Sequence, residues 1–500
     1  MERDGMAKTA TRLRGKSRTH AFWLMVAMFG LACGPVGDAI AREDAASPAR
    51  FTLRQIGNKW TLVDPRGRPF YSLGIAAVDM KGNPDRNGAN LYAAAIKDKY
   101  ETPADWAAVQ QRRFANWGIN TIGAFSDTSE FARRGMPYTV LIRTTDPTSD
   151  LWSPEWEQKA RSEINRVAAL HRNNSALVGY FIDNELPWGA DLSASLRPGN
   201  PDALLMGRYF QNQSGRAVLV AFLKGRYARP AELRRDFPSA QITGHSWNDL
   251  DFGRVRLGEQ VTEAGKDTLD AWAAKMAERY FSVTAGELKR ADPEHLSFGH
   301  KFTAFTPREV VRIAGRYADV MTVDVYEFTR FGQKTAPAAG TGGKRLEKVI
   351  YWYNWWLEQT ERYPSTEDML AEWTALTGKP VLIGEFGYRA MDAGLPNSFP
   401  PLIALVPTQS DRRAAIANYA RCAINASHIV GIHYFQLIDQ SPAGRTQDGE
   451  NSNWGLLNSL DLPYREATQA LREASRLAAR RTSPTYRAQP CTPISAVMLP

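Results

Sequence analysis

Eight apolar segments recur along this chain. They begin near residues 70, 119, 138, 178, 295, 320, 380 and 430, and each is followed by sequence of helical character. Strands separated by helices must be joined by crossovers, and crossovers leave neighbouring strands parallel. Eight such units between residues 51 and 480 predict an α/β fold, a (β/α)8 TIM barrel. The rival, an open doubly wound sheet, carries a phosphate-binding glycine loop after its first strand, and none follows Phe70–Val78.

The helical segments between the strands have recognisable ends. Thr102–Trp117 stops at Gly118, Ser153–His171 opens on Ser-Pro-Glu, and Thr306 stands where it can cap a helix over Pro307–Arg316. Before the first long strand, Phe51–Ile56 and Lys59–Phe70 alternate apolar and polar residues and read as a short N-terminal β-hairpin. After the fourth strand the rhythm is interrupted. Residues 186–290, with helices expected at Ser214–Arg226 and Lys266–Arg290, form a large insertion on the face where the strands end. A Gly/Ala/Pro/Lys loop at 332–345 and an aromatic-rich stretch at 346–356 follow the sixth strand.

The N-terminus reads as a targeting segment. Four basic residues, Arg12, Arg14, Lys16 and Arg18, precede the apolar run Ala21–Ala32, and Ala39-Ile-Ala41 has small residues where a signal peptidase cuts. The run is too short to span a bilayer comfortably. Cys33 does not fit a lipoprotein site, because Gly30 stands where an aliphatic residue is needed. The expected organisation is a signal peptide at 1–41, a linker at 42–50, a catalytic domain at 51–480 with its insertion at 186–290, and a tail at 481–500. The protein is then secreted or periplasmic, with no membrane attachment after cleavage. Residues 1–41 carry six Lys/Arg against three acids, so the remainder carries +6 rather than +9. That mild charge, with no long basic run, does not imply nucleic acid. Cys422 and Cys491 remain after cleavage. They either pair in an oxidising compartment or stay as separate thiols. Two cysteines without clustered histidines give no metal site, and no cofactor-binding motif is present.

Chemistry points to two strand ends. Val178-Gly-Tyr-Phe-Ile-Asp-Asn-Glu-Leu-Pro-Trp188 is an apolar run that flips to polar at Asp183-Asn184-Glu185. Lys379-Pro-Val-Leu-Ile-Gly-Glu385-Phe-Gly has the same form. A charge that ends a buried run must be paired or functional. As the ends of the fourth and seventh strands, Glu185 and Glu385 face each other across the C-terminal rim. Paired carboxylates across a pocket suit glycoside hydrolysis, in which one holds a proton for the leaving oxygen and the other attacks the sugar or activates water. Asn184 can bond a sugar hydroxyl, and Tyr326 can donate to the attacking carboxylate. His433, Phe435 and Gln436 can shape the floor, and Trp188, Trp247 and Trp454 are candidate sugar platforms. His300 is a further candidate on the substrate side, although isolated histidines such as His300 and His433 are more often satisfied polar residues. Asp183 is equally well a structural acceptor.

At these residues the chain resembles glycoside hydrolase family 50, the β-agarases, within the retaining (β/α)8 clan that also holds the family 42 β-galactosidases. The resemblance rests on Trp60–Gly74, Trp117–Gly123, Gly179-Tyr-Phe-Ile-Asp-Asn-Glu185, Gly384-Glu-Phe-Gly387 and Gly431–Gln436, with Asp439-Gln440, Gly444-Arg445 and Asp448–Asn451, and it runs from about residue 51 to about 470. It implies Glu185 as acid/base, Glu385 as nucleophile, a covalent glycosyl-enzyme intermediate and cleavage of β-1,4-galactosidic bonds in agarose. Two departures bear on the substrate. The chain has no room for the carbohydrate-binding domain that many family members carry before the barrel, and Gly299-His-Lys-Phe302 stands where the family pattern has an arginine. The readings left beside agarose are a β-galactosidase or carrageenan-type galactanase on the same fold, and a non-catalytic polysaccharide-binding protein.

Overall fold

The computed structural model describes residues 50–146, 148–186, 188, 209–210, 213–258, 260–304, 306–327, 365–398 and 403–494. The leader, most of the linker and the 332–345 and 346–356 segments lie outside them. The chain divides into Met1–Ala46 and a compact unit, Ser47–Pro500.

The first three strands, β1 (Thr52–Ile56), β2 (Lys59–Val63) and β3 (Pro69–Phe70), form a small antiparallel sheet in that order. Then come β4 (Ser72–Ile75), β5 (Thr121–Ile122), β6 (Tyr138–Ile142), β7 (Leu177–Ile182), β8 (Leu296–Ser297), β9 (Lys301–Thr303), β10 (Met321–Asp324), β11 (Val381–Phe386), the short pair β12 (Arg389–Ala390) and β13 (Leu405–Val406), and β14 (Ile429–Tyr434). The main sheet has the order β8-β7-β6-β5-β4-β14-β11-β10-β9, with every neighbouring pair parallel.

Its two ends are halves of one stretch, 296–303. On one side this stretch bonds to β7 and its extension: Phe298 N–H donates to Tyr180 O at 2.8 Å, Ile182 N–H to Gly299 O at 2.8 Å, and Glu185 N–H to Lys301 O at 2.9 Å. On the other side Lys301–Thr303 pair with Thr322–Asp324. The sheet therefore curls round and meets itself, as a TIM-type barrel does. The expected fifth strand is real but broken at Gly299, whose φ of +61° is left-handed backbone that glycine adopts without strain.

Helices cover the outside, which explains the continuous apolar runs: β7, β11 and β14 are buried at all six positions. A second apolar cluster holds Val178, Leu296, Val320, Leu382 and Val430, near the starts of five strands, together with Phe51 and Leu62 of the small sheet. That sheet thus closes the N-terminal end of the barrel and leaves the C-terminal end for a site. In the 186–290 region the described helices are Gln213–Lys224, Leu233–Asp236 and the long Glu263–Ala291, capped by the Thr262 hydroxyl. Thr102 and Thr408 form full capping boxes on Pro103–Trp117 and Gln409–Asn425. Thr306 does not cap. Pro307 takes that position, and the Thr306 hydroxyl donates to Thr303 O at 2.9 Å instead.

Cys422 and Cys491 are joined as a disulfide, Cα–Cα 5.6 Å. The bridge ties the tail to the helix Gln409–Asn425. Paired bonds between Asn418 and Thr492 and a Tyr486–Asn425 bond reinforce it. A cross-link closing a loop of this length stabilises by about 2–4 kcal/mol. Replacing both cysteines by serine is expected to expose the 481–494 segment to limited proteolysis at protease levels that leave the wild type intact. Equal resistance would show that the tail is held without the bridge.

Candidate active site

Site construction begins with a kink after β7. Asp183 and Glu185 both have left-handed backbone, with φ of 56° and 47°, which non-glycine residues rarely adopt and which the surroundings must hold. The Asp183 carboxylate accepts from Thr144 N–H at 2.6 Å, the Thr144 hydroxyl at 2.6 Å, Thr145 N–H at 3.1 Å and the Tyr280 hydroxyl at 2.8 Å. Asp183 is therefore a structural acceptor. His300 closes the kink from the other side. It donates from Nδ1 to Ile182 O at 3.1 Å, and its Nε2 accepts from Leu186 N–H at 3.2 Å. Burial pushes its pKa down to about 3, which keeps the ring neutral as this bonding requires.

The kink turns Glu185 toward Glu385 at the end of β11. One carboxylate oxygen each from Glu185, Glu385 and Asp324, the last residue of β10, lies within 4.8 Å of the other two. The cation in this cluster is the Lys301 ammonium from β9. It bonds Glu385 Oε1, faces Asp324 Oδ2 at 3.1 Å and donates to Asn184 Oδ1 at 2.6 Å. Its fourth side is the Phe125 ring, 4.6 Å to the centroid. Tyr326 donates its hydroxyl to Glu385 Oε2 at 2.7 Å. Among the described residues, a second three-residue group of metal-ligand type, Glu367 with Cys422 and Cys491, has its sulfurs tied up in the disulfide.

These contacts set the protonation. Glu185 is open to solvent on the cleft side. Protein packed around its carboxyl, and then the Glu385 charge, raise its pKa to about 7 against the pull of Lys301. Burial raises Asp324 well above the carboxylate range despite Lys301. Burial alone would lower Lys301, but Asp324 and Glu385 outweigh it and hold the ammonium charged. Burial, then the Glu385 charge, keep Tyr326 protonated. A proton-holding carboxyl thus stands beside a carboxylate whose two oxygens are both bonded by donors.

Of the residues expected at the site, Glu185, Glu385, Asn184 and Tyr326 come together. The others do not face the cleft. Trp188 is 3% exposed and stacks on Phe281, centroids 5.8 Å apart. Trp247 is 7% exposed and donates to Tyr227 O within the insertion. Trp454 is 2% exposed and backs the Tyr326 ring at 5.2 Å. All three are walls rather than platforms, since large aromatic surfaces bury readily. His433 lies inside the barrel, its Nε2 2.9 Å from the Ser72 hydroxyl, and burial lowers it to about 3. Gln436 is buried and donates to Ile438 O at 2.7 Å. His300 serves the kink rather than a substrate. Sequence reasoning missed Lys301 and Asp324. Both are charges set in apolar strands, the same signal that marked Glu185 and Glu385. It also missed Glu450, raised by its own burial beside Arg445, at 3.2 Å.

A parallel barrel with two carboxyls opposed at its C-terminal end is the arrangement of the paired-carboxylate glycoside hydrolases. The chain is similar to Beta-agarase A of Vibrio sp. (strain JT0107), 26% identical over 503 residues, covering 86% of this chain and 46% of the relative. It is 22% identical to Beta-agarase B of the same strain, covering 85% and 47%. The chain thus spans about half the length of these curated relatives. Among solved structures, an exo-beta-agarase matches with a TM-score of 0.63 and PfGH50B with 0.62. Each is 22% identical and covers 87% of this chain, and 66% and 67% of the respective structures. These share the fold. No family model matches the chain. The resemblance to the family 50 β-agarases is borne out by these relatives.

Removing one partner of a buried ion cluster strands the others, at about 3–5 kcal/mol. Lys301→Met is expected to destabilise the protein by that order near neutral pH. The loss should shrink as the pH falls, because Asp324, raised by burial, can then fold protonated. Thermal melts at acid and neutral pH check this; an equal loss at both would contradict it.

Proposed function

We propose that this chain is an exported retaining glycoside hydrolase that cleaves β-1,4-galactosidic bonds of agarose or a related galactan. The observation that carries the chemistry is the approach of one Glu185 oxygen and one Glu385 oxygen to within 4.8 Å. Retaining enzymes hold their carboxyls about 5–5.5 Å apart, whereas inverting enzymes need about 6.5–9.5 Å to admit water between them. The substrate class comes from the names of the relatives. Export is supported by the 1–41 leader pattern and by the disulfide, which suits an oxidising compartment. Among the described residues, no helix is long and apolar enough to cross a membrane.

In this reading Glu385 attacks the anomeric carbon while Glu185 gives its proton to the departing glycosidic oxygen. Glu185 then takes a proton from the water that releases the sugar from Glu385. Tyr326 and Lys301 each donate to one oxygen of Glu385 and fix its orientation. The Asn184 Oδ1 is engaged by Lys301, which leaves the amide hydrogens of Asn184 for a sugar hydroxyl.

Glu185→Gln and Glu385→Gln are each expected to lower hydrolysis by roughly 10²–10⁴-fold or more without unfolding the protein. Near-normal activity in either variant would remove the assignment. The acid must be protonated, so kcat/KM in the wild type should fall as the pH rises through about 7. Chromatography of products from agarose, porphyran, carrageenan and simple β-galactosides identifies the substrate. Release of oligosaccharides from agarose supports the reading, and action on simple β-galactosides alone replaces it with a β-galactosidase.

A further inference from the structure

We infer that Asp324 is a positioning residue that shares a single proton with Glu185, and that Lys301, set between Asp324 and Glu385, switches its charge from one carboxylate to the other as the reaction turns over. This rests on the hydrolase reading above and adds two residues to it.

The geometry is specific. Asp324 is 5% exposed, and the Lys301 side chain is fully buried. Asp324 Oδ2 is 3.1 Å from Lys301 Nζ, and one Asp324 oxygen and one Glu185 oxygen lie within 4.8 Å of each other. The approach depends on Gly384 next to the proposed nucleophile. A Cβ there would stand 2.7 Å from Asp324 Oδ1 and 3.0 Å from Lys301 Cε. The groups that face Asp324 are Lys301 from β9, Glu385 from β11, Glu185 after β7 and Tyr326 after β10. Glu450 and Arg445, after β14, act on the same carboxylates from further out. Three carboxyls crowded around the Lys301 ammonium, two of them buried, do not all ionise together. Like charges this close force one proton to stay, and it belongs to the pair rather than to either residue.

The cycle follows from the charges. In the free enzyme Lys301 is balanced by ionised Glu385, and the Glu185–Asp324 pair keeps its proton. In the first step that proton goes to the glycosidic oxygen as the C–O bond breaks, and a Glu385 oxygen bonds the anomeric carbon. Glu385 is now a neutral ester. The Lys301 charge is left facing the pair, which is now doubly ionised, and stabilises it in the base form. In the second step water bonds the anomeric carbon and its proton returns to the pair. The ester C–O bond breaks, its electrons return to Glu385, and Lys301 is balanced as before.

The test is Asp324→Asn, which keeps the shape and removes the shared site. In the wild type, losing the proton creates two adjacent anions; in the variant it creates one. The alkaline limb of kcat/KM on agarose oligosaccharide is therefore expected to move to lower pH by about one unit or more, with a smaller loss at the new optimum than Glu185→Gln shows. An unmoved limb in a folded variant overturns the inference, since a merely structural role would leave it in place. If the variant does not fold, ¹³C NMR titration of carboxyl-labelled aspartate in the wild type and in Glu185→Gln answers the same question. One aspartate titrating above the usual range and falling by a unit or more in Glu185→Gln is expected, and no response from any aspartate overturns it. The titration needs no turnover, so absence of hydrolysis would defeat the function proposed above and leave this result readable.

Discussion

One buried ammonium organises the candidate site. Lys301 touches Glu385, Asp324 and Asn184 and lies against the Phe125 ring. Moving a charge of that kind out of water is expensive, and attraction to carboxylates repays it only with close geometry and full hydrogen bonding. The carboxylates have the converse problem, since none could sit so near the others without a cation between them. Each group is tolerable only because the rest are present. That mutual dependence makes the cluster a reservoir of distinct protonation states in a small volume, which acid–base chemistry needs.

The fold supplies this cluster through two irregularities. The fifth barrel strand breaks at Gly299, with β8 pairing β7 and β9 pairing β10, so Lys301 can reach both Asn184 and Asp324. The end of β7 kinks through left-handed backbone at Asp183 and Glu185. Asp183 and His300 hold the kink with bonds to backbone on both sides. The regular strands provide rigidity, and the two departures from regularity aim the side chains.

Much of the barrel was legible because its strands are buried on both faces, and their apolar runs stand out from the amphipathic helices between them. Glu185 and Glu385 were legible for the same reason. Lys301 and Asp324 carry the same mark but lie in a broken strand and in a strand whose end was credited to Tyr326. One-dimensional pattern does not say which charges converge. The tryptophans failed for a different reason: type suggests a sugar platform, but whether Trp188, Trp247 or Trp454 faces solvent depends on packing across segments distant in the chain. His433 and Gln436 sit near the right strand end and are nonetheless internal. Thr306 lost its cap position to Pro307, a shift of one residue that local pattern does not resolve.

Covalent trapping addresses the central claim most directly. Incubation with an activated 2-deoxy-2-fluoro galactoside, extended by agarose-type sugars at the non-reducing end, slows release of a glycosyl-enzyme. Peptide mass spectrometry should then find one sugar adduct, on Glu385. An adduct on another residue, or turnover of the natural polysaccharide with inversion and no adduct, would contradict the account.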